Sequence, residues 1–366
     1  MSGEDEQITN YMMDLELRPF AEIDLADPFF DSLKAAYPEF SDWYNWKASE
    51  GAQAYVFHFD DGRVADFLYM KIETEAVTDV EPVLPPKRRL KVGTFKLLSR
   101  GTRRGERFMK KIMDRAMVEN VDEVYVTIFD TEELNYLIRF FGRFGFYHRA
   151  NKPHEGCEPE VVLVKDMRAV EGIVMEDYPR MRTRGKRKWL LSIKPEFHTH
   201  LFPDSILNNE SYDMLQDITP TNGIYKIYFS RNLDCCQMNP GDLVVIYRTG
   251  DGLGPAKYRS VVTSICTVHD VKKWWDFNND EDEYIKYTRY SVFDEQSRRQ
   301  WFRTQRDMVV IKMLYNVAFT KRVIRQDLLE KVGLDGGQRW ALLPLTDEQF
   351  KNIIELGKAD ERYFID

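Results

Sequence analysis

The stretch SRGTRRGERFMKK, Ser99–Lys111, carries six positive charges, at Arg100, Arg103, Arg104, Arg107, Lys110 and Lys111, with Gly101 and Gly105 among the first of them. Its neighbours decide how it is read. Upstream, RLKVGTFKLL (89–98) is strand-like. Downstream, GERFMKKIMDRAMVEN (105–120) sets Phe108, Met109, Ile112, Met113 and Ala116 on one helical stripe. The order is therefore strand, basic glycine-bearing loop, helix. The first turn of a helix leaves backbone N–H groups unpaired, and its dipole is positive there. Glycine lets such a backbone approach an anion, and arginine adds forked donors. The stretch reads as a diphosphate cradle rather than a face laid along a nucleic-acid backbone.

The chain around it has 366 residues, which predicts two domains. Its net charge of −8 confines any nucleic-acid contact to local patches. No apolar run approaches the roughly 18 residues that a membrane helix needs. The start, MSGEDEQITNYMMD, is acidic and lacks the pattern of a secretory signal. Cys157, Cys235, Cys236 and Cys266 show no CxxC spacing, so reduced thiols and a cytoplasmic location are expected. His198 and His200 in FHTH could share a strand face, but with no acidic or thiol partner nearby no metal is expected.

Residues 1–20 read as a flexible acidic start. Asp27 caps a short helix entered through Pro28, with Phe29, Leu33 and Tyr37 at spacings of four. Two β-rich runs flank Asp61-Gly62 and predict a hairpin. DEVYVTIFD (122–130) is apolar on both faces, as a covered central strand is. A helix follows from Thr131 to Gly145, then two strands. The layout is α+β. The stretch up to Lys188 has no clear period and ends in six basic residues within nine, Arg180–Lys188. Domains are thus expected at 1–168 and 189–366, joined by a basic linker at 169–188. The second half is β-rich with two helices near its end, which suggests a small β-barrel.

The loop resembles the [Q/R]-x-x-G-x-[G/A] loop of the GNAT N-acetyltransferases, with Arg100 first, Arg103 in place of the first glycine and Gly105 last. VYVTIFDTEELNYLIRFFGRFGF (124–146) resembles the next strand and helix of that family. The resemblance covers roughly residues 20–165 and implies a mixed α/β fold that binds acetyl-CoA between two splayed strands. It implies Phe95 and Leu97 along the pantetheine arm, and the backbone of Arg100, Gly101, Thr102, Arg103, Arg104, Gly105 and Glu106 around the diphosphate. Arg107, Lys110 and Lys111 would meet the remaining phosphate or face water. The family's usual general-acid tyrosine is replaced by Phe141, and a frequent asparagine by Leu134. Tyr136 or Tyr147, or water, is then the candidate acid, and Glu73 or Glu75 the candidate base.

In the second half, WLLSIKPEFHTHLF (189–202) and MNPGDLVVIYRT (238–249) resemble PUA-like domains, particularly the ASCH group, which often bind RNA or modified nucleotides. The lysine and arginine of the hydrolytic ASCH signature are missing from FPDSILNNESYDML (202–215), which favours binding over hydrolysis. The basic linker Arg180–Lys188 with Lys194, Arg248, Lys257 and Arg259, and the rings of Tyr247, Tyr258, Trp274 and Trp275, mix cations with stackable rings and are the expected RNA contacts. Together the resemblances imply an acetyl-CoA-dependent N-acetyltransferase acting on an amine of RNA or tRNA held by the second half, and a toxin- or defence-type role. A protein lysine or N-terminal amine is the alternative acceptor. A non-catalytic regulator that binds acetyl-CoA is the alternative outside enzymes.

Overall fold

The structure is a computed structural model that describes residues 15–98, 104–154, 158–202 and 223–366. Its described residues divide into two compact units, the second beginning after Arg168 and also taking in 143–145.

The first unit is a seven-stranded sheet in the order β1-β2-β3-β4-β5-β7-β6. The strands are β1 Glu16–Pro19, β2 Gln53–His58, β3 Val64–Glu73, β4 Arg89–Leu97, β5 Glu123–Phe129, β6 Tyr147–Lys152 and β7 Glu160–Asp166. β4 and β5 are parallel and every other neighbouring pair is antiparallel. The β2–β3 hairpin turns through Gly62 at φ +85°, where a side chain would be strained. The Asp27 carboxylate accepts from Phe29 N and from Val64 N, both at 2.8 Å, so one cap ties the first helical turn to the hairpin.

Helices α1 (Asp31–Ala36) and α2 (Phe40–Ser49) precede that hairpin. With Phe20, Phe29 and Phe30 they bury Phe67 and Tyr69 on one face of the sheet. Helices α3 (Arg104–Val118) and α4 (Asn135–Gly142) bring Phe108, Phe140 and Phe141 to Phe95 of β4, at ring separations of 5.6, 5.9 and 5.2 Å. Two elements depart from the sequence reading. Glu16–Pro19 is not part of a flexible start but pairs with Gln53–Val56. Four residues are too few to show alternation, and the partner strand supplies the order. Helix α2 went unseen because its sequence, FSDWYNWKAS, sets only Phe40, Tyr44 and the stem of Lys47 inward.

The second unit holds strands β8 Met181–Arg182, β9 Lys188–Ile193, β10 Tyr225–Ser230, β11 Leu243–Arg248, β12 Val261–Lys273, β13 Val309–Ile324, β14 Leu342–Leu345 and β15 Phe364–Ile365. Six of them form a sheet in the order β10-β13-β12-β11-β9-β14, and β15 pairs with β8. The sequence suggests a small barrel; among the described residues the sheet keeps two edges and does not close. Its core joins Trp189, Leu191 and Ile193 to Val244, Ile246, Val268, Ile311 and Met313. Helix α5 (Val174–Asp177) and β8 lie within the stretch read as a linker. There Tyr178 is fully buried and donates to Tyr315 O at 3.1 Å. Arg187 pairs with Asp242 at 2.9 Å and Lys188 with Asp347 at 2.5 Å. FHTH belongs to a helix, α6 (Pro195–Leu201), rather than a strand. Helices α7 (Ala256–Arg259), α8 (Glu281–Tyr287), α9 (Glu295–Thr304), α10 (Arg325–Glu330) and α11 (Asp347–Gly357) complete the unit. Among the described residues no helix is long and apolar enough to cross a membrane.

Candidate active site

β4 and β5 are paired from Arg89↔Glu123 to Val92↔Val126, and there the pairing stops. β4 runs on through Gly93 to Leu97 and β5 through Thr127 to Phe129, so the strands part in the middle of the sheet. At the same point the register on the other side of β4 is broken. Met70 faces Val92 and Tyr69 faces Thr94, which leaves Gly93 as one extra residue. Such a bulge bends its strand and increases the local twist. A Cβ at Gly93 would lie 2.8 Å from Cδ1 of Tyr69. That ring is held edge-on by Phe20 at 5.1 Å and Trp43 at 5.7 Å, so only glycine fits without moving it.

The open end of β4 leads to the basic loop. Of the residues expected to bind the diphosphate, Arg100, Gly101, Thr102 and Arg103 lie outside the described residues. The two ends of the loop are described, and one carboxylate joins them. Asp66 of β3 is completely buried; its Oδ1 accepts from Leu98 N at 3.1 Å and its Oδ2 stands 2.9 Å from Nη1 of Arg104. Burial pushes Asp66 up to about 6, against the pull of Arg104, Leu98 N and Arg107. A Cβ on Gly105 would meet Leu97 Cδ1 at 3.3 Å and Phe140 Cζ at 3.5 Å, so the first turn of α3 is seated directly on β4 and α4. Glu106 is buried beside it. Arg107, Lys110 and Lys111 do not face water. Arg107 covers the Phe57 ring at 4.6 Å, Lys110 pairs with Asp114 at 2.8 Å, and all three are buried.

Glu73 stands at the other end. It faces Arg89 in the register, where β4 and β5 are still paired. Its carboxylate accepts from Tyr125 Oη and lies 2.5 Å from Nζ of Lys71. Burial pushes Glu73 up, but Lys71, Tyr125 and Lys91 outweigh it and hold the carboxyl below its ordinary range. Beside it Arg89, 1% exposed, donates to Glu123 at 2.6 Å. Tyr136 is half-buried on α4, and Tyr147 is exposed at the start of β6. Phe141 is fully buried between Phe95 and Phe146, at 5.2 and 4.9 Å. An apolar ring suits that position as packing.

A further group converges on the open end and was missed in the sequence. Tyr37 follows α1, His154 follows β6, and Glu160 opens β7 opposite Phe129. Glu160, 2% exposed, accepts from Tyr37 Oη through Oε1, and its Oε2 lies 3.1 Å from His154 Nε2. The Phe129 ring is flanked by Tyr37 at 5.2 Å and His154 at 5.3 Å. Tyr125, Thr127 and Phe129 alternate onto one face of β5, so this group lies on the face opposite α3 and α4. The three residues span 123 positions of sequence: His154 and Glu160 flank the β6–β7 connection, and Tyr37 reaches them from the end of α1.

In the second unit the expected nucleic-acid residues have several fates. Tyr247 is buried and packs on Trp340 at 5.3 Å, which removes it as a stacking surface. Arg259 is held by Asp251 at 2.5 Å. Tyr258 and Trp275 are each 50% exposed, with Lys257 and Lys273 over their rings at 4.7 and 5.5 Å. His198 is 1% exposed and its Nε2 meets Thr263 Oγ1 at 2.8 Å. Burial, with Arg248, Arg322 and Lys226 nearby, pushes its imidazole down to about 3. The stretch examined for the hydrolytic ASCH signature lies, beyond Phe202, outside the described residues.

No family model and no curated protein matches the chain. Solved structures do resemble it. The structure of nourseothricin acetyltransferase is 16% identical over 31% of this chain and 64% of its own, with a TM-score of 0.25. Thus this chain spans just under two thirds of that protein. Naa20 of Chaetomium thermophilum, in complex with a bisubstrate analogue, is 15% identical over 36% of this chain and 73% of its own, with a TM-score of 0.28. ASCH from Zymomonas mobilis is 14% identical over 46% of this chain and 94% of its own, with a TM-score of 0.31.

Proposed function

We propose that the first unit is an acetyl-CoA-dependent N-acetyltransferase and that the second unit holds an RNA bearing the acceptor amine. One observation carries the transferase reading: β4 parts from β5 at Val92 and Val126 and leads directly to the start of α3. An extended pantetheine arm needs backbone donors and acceptors not already paired within the sheet. β4 offers them from Gly93 to Leu97, with Phe95 and Leu97 as its apolar side chains. The diphosphate belongs against the loop Arg100–Arg103 and the first turn at Arg104, Gly105 and Glu106. A backbone N–H of β4 aimed at the thioester oxygen stabilises the charge that develops on it as the amine attacks.

The RNA part of the reading is supported by Tyr258 and Trp275, two exposed rings each accompanied by a lysine. Acting on RNA in the cytoplasm, such an enzyme would serve as a toxin- or defence-type protein. The experiment is incubation of the full chain with isotope-labelled acetyl-CoA and a mixture of cellular RNA and protein, followed by mass spectrometry of both fractions. Label in RNA is the expected result. Label confined to protein transfers the acceptor to a lysine or N-terminal amine. Binding of acetyl-CoA with no label in either fraction replaces the enzyme with a ligand-binding regulator.

A further inference from the structure

Resting on the transferase reading, we propose that His154 is the general base that deprotonates the acceptor amine, with Glu160 and Tyr37 as its positioning residues. An aliphatic acceptor amine, such as the α-amine of an aminoacyl group carried on RNA, is largely an ammonium ion at neutral pH and must lose a proton before it attacks. At the open end of the strands Asp66 is completely buried and held by Leu98 N and Arg104, so it meets no incoming amine. Glu73 stands at the paired end, tied to Lys71 and Tyr125. Phe141 has no proton to give or take.

The geometry also chooses the nitrogen. A carboxylate only accepts, so Glu160 Oε2, 3.1 Å from Nε2 of His154, fixes the proton on Nε2. Nδ1 is then the nitrogen with a free lone pair. Tyr37 donates to Oε1 of the same carboxylate, which keeps Glu160 in one orientation. The rings of Tyr37 and Phe129 pack against the imidazole, at 6.3 and 5.3 Å. The other charge nearest in the register is Lys152, opposite Glu160, and its ammonium is tied to Asp79 at 2.9 Å. His154 keeps about a fifth of its side chain exposed, as a base that must meet an incoming substrate and later release a proton requires.

The step balances as follows. One proton passes from the acceptor ammonium to Nδ1 of His154, directly or through one water. The freed nitrogen lone pair forms the N–C bond at the thioester carbonyl. The C–S bond breaks and its electron pair leaves on sulfur. A second proton from the nitrogen goes to that thiolate, giving the amide and free CoA, and His154 returns its proton to solvent.

The test uses the full chain, acetyl-CoA and two small acceptors: methylamine, an ammonium ion at neutral pH, and hydroxylamine, which is neutral there. His154→Gln should lower transfer to methylamine by about 10²-fold or more while changing transfer to hydroxylamine far less. The acid limb of its pH–rate profile with methylamine should flatten. Tyr37→Phe should lower transfer to methylamine by a smaller factor, with thermal unfolding unchanged to show that the fold survives. Equal losses on both acceptors, or a methylamine rate and acid limb like the wild type's, overturn the assignment of His154 alone. A wild-type chain that binds no acetyl-CoA by calorimetry, or binds it and acetylates neither amine, overturns the transferase reading and the base with it.

Discussion

Asp66 and Glu73 lie on one strand, β3, seven positions apart, and the fold treats them in opposite ways. Asp66 faces Leu97, at the far end of the stretch of β4 that runs free of β5, wholly buried, and its carboxyl is pushed up to about 6. Glu73 sits where the strands remain paired, and its carboxyl is held below the ordinary range. Burial acts against the charge of both. The difference is in the donors: an ammonium at 2.5 Å and a tyrosine hydroxyl serve Glu73, whereas Asp66 has one guanidinium and one backbone N–H. The paired end of the site is a neutralised ion cluster built for stability. The open end keeps a less compensated carboxylate, and that carboxylate meets Leu98 and Arg104 on either side of the basic loop.

The largest effect is expected at the paired end. Arg89→Met leaves Glu123 without its buried guanidinium, and losing one partner of a buried pair costs about 3–5 kcal/mol. Denaturant unfolding measures it, and a loss under about 1 kcal/mol would show that Lys87, 2.5 Å from Glu123, carries the charge instead.

Next comes pH at Asp66. A carboxyl whose folded value is raised stabilises the fold fully at low pH, and that contribution is lost as pH rises from the ordinary 3.8 to about 6. The span corresponds to about 3 kcal/mol. Relative to Asp66→Asn, the wild type should therefore lose stability as pH rises from about 4 to about 6. The same substitution removes the partner of Arg104, so acetyl-CoA affinity should fall in titration calorimetry. A pH-independent difference between the two proteins would mean that Arg104 fully compensates the charge.

Gly93→Ala should cost about 1–3 kcal/mol, because the added Cβ meets a ring that cannot swing aside. If the bulge opens the strands, the same variant also weakens acetyl-CoA binding, whereas a loss of stability alone would make it a packing defect. Glu73→Gln is expected to do least. Its cost should shrink as pH falls, the reverse of Asp66, since a depressed carboxyl contributes only above its unfolded value. Thermal unfolding between pH 3 and 7 reads the sign.

Six strands of the seven-stranded sheet were legible because hydrophobic period and turn residues survive in those elements: Asp61-Gly62 in the hairpin, the apolar stripe of α3, the doubly apolar β5. Those local signals also placed the basic loop between strand and helix. β1 and α2 were hidden for the opposite reason, being short and polar enough that a neighbouring strand or the Phe20 core orders them. The site was legible only where it follows the chain. Gly93 looked like an ordinary strand glycine until its register with Tyr69 was known. Tyr37 meets His154 and Glu160 across 123 positions of chain, which no sequence spacing announces. Asp66 alone left a trace, as a single acid within the apolar run VADFLYM.

The parting of β4 from β5 has one consequence for handling the protein. Among the described residues no strand pairs with the β5 side of Gly93–Leu97, which gives the sheet a bare edge in its interior as well as at its margins. Bare edges recruit other chains. A ligand that hydrogen-bonds along β4 would cap this one from within, so CoA should suppress light scattering on heating beyond what its shift in unfolding temperature explains.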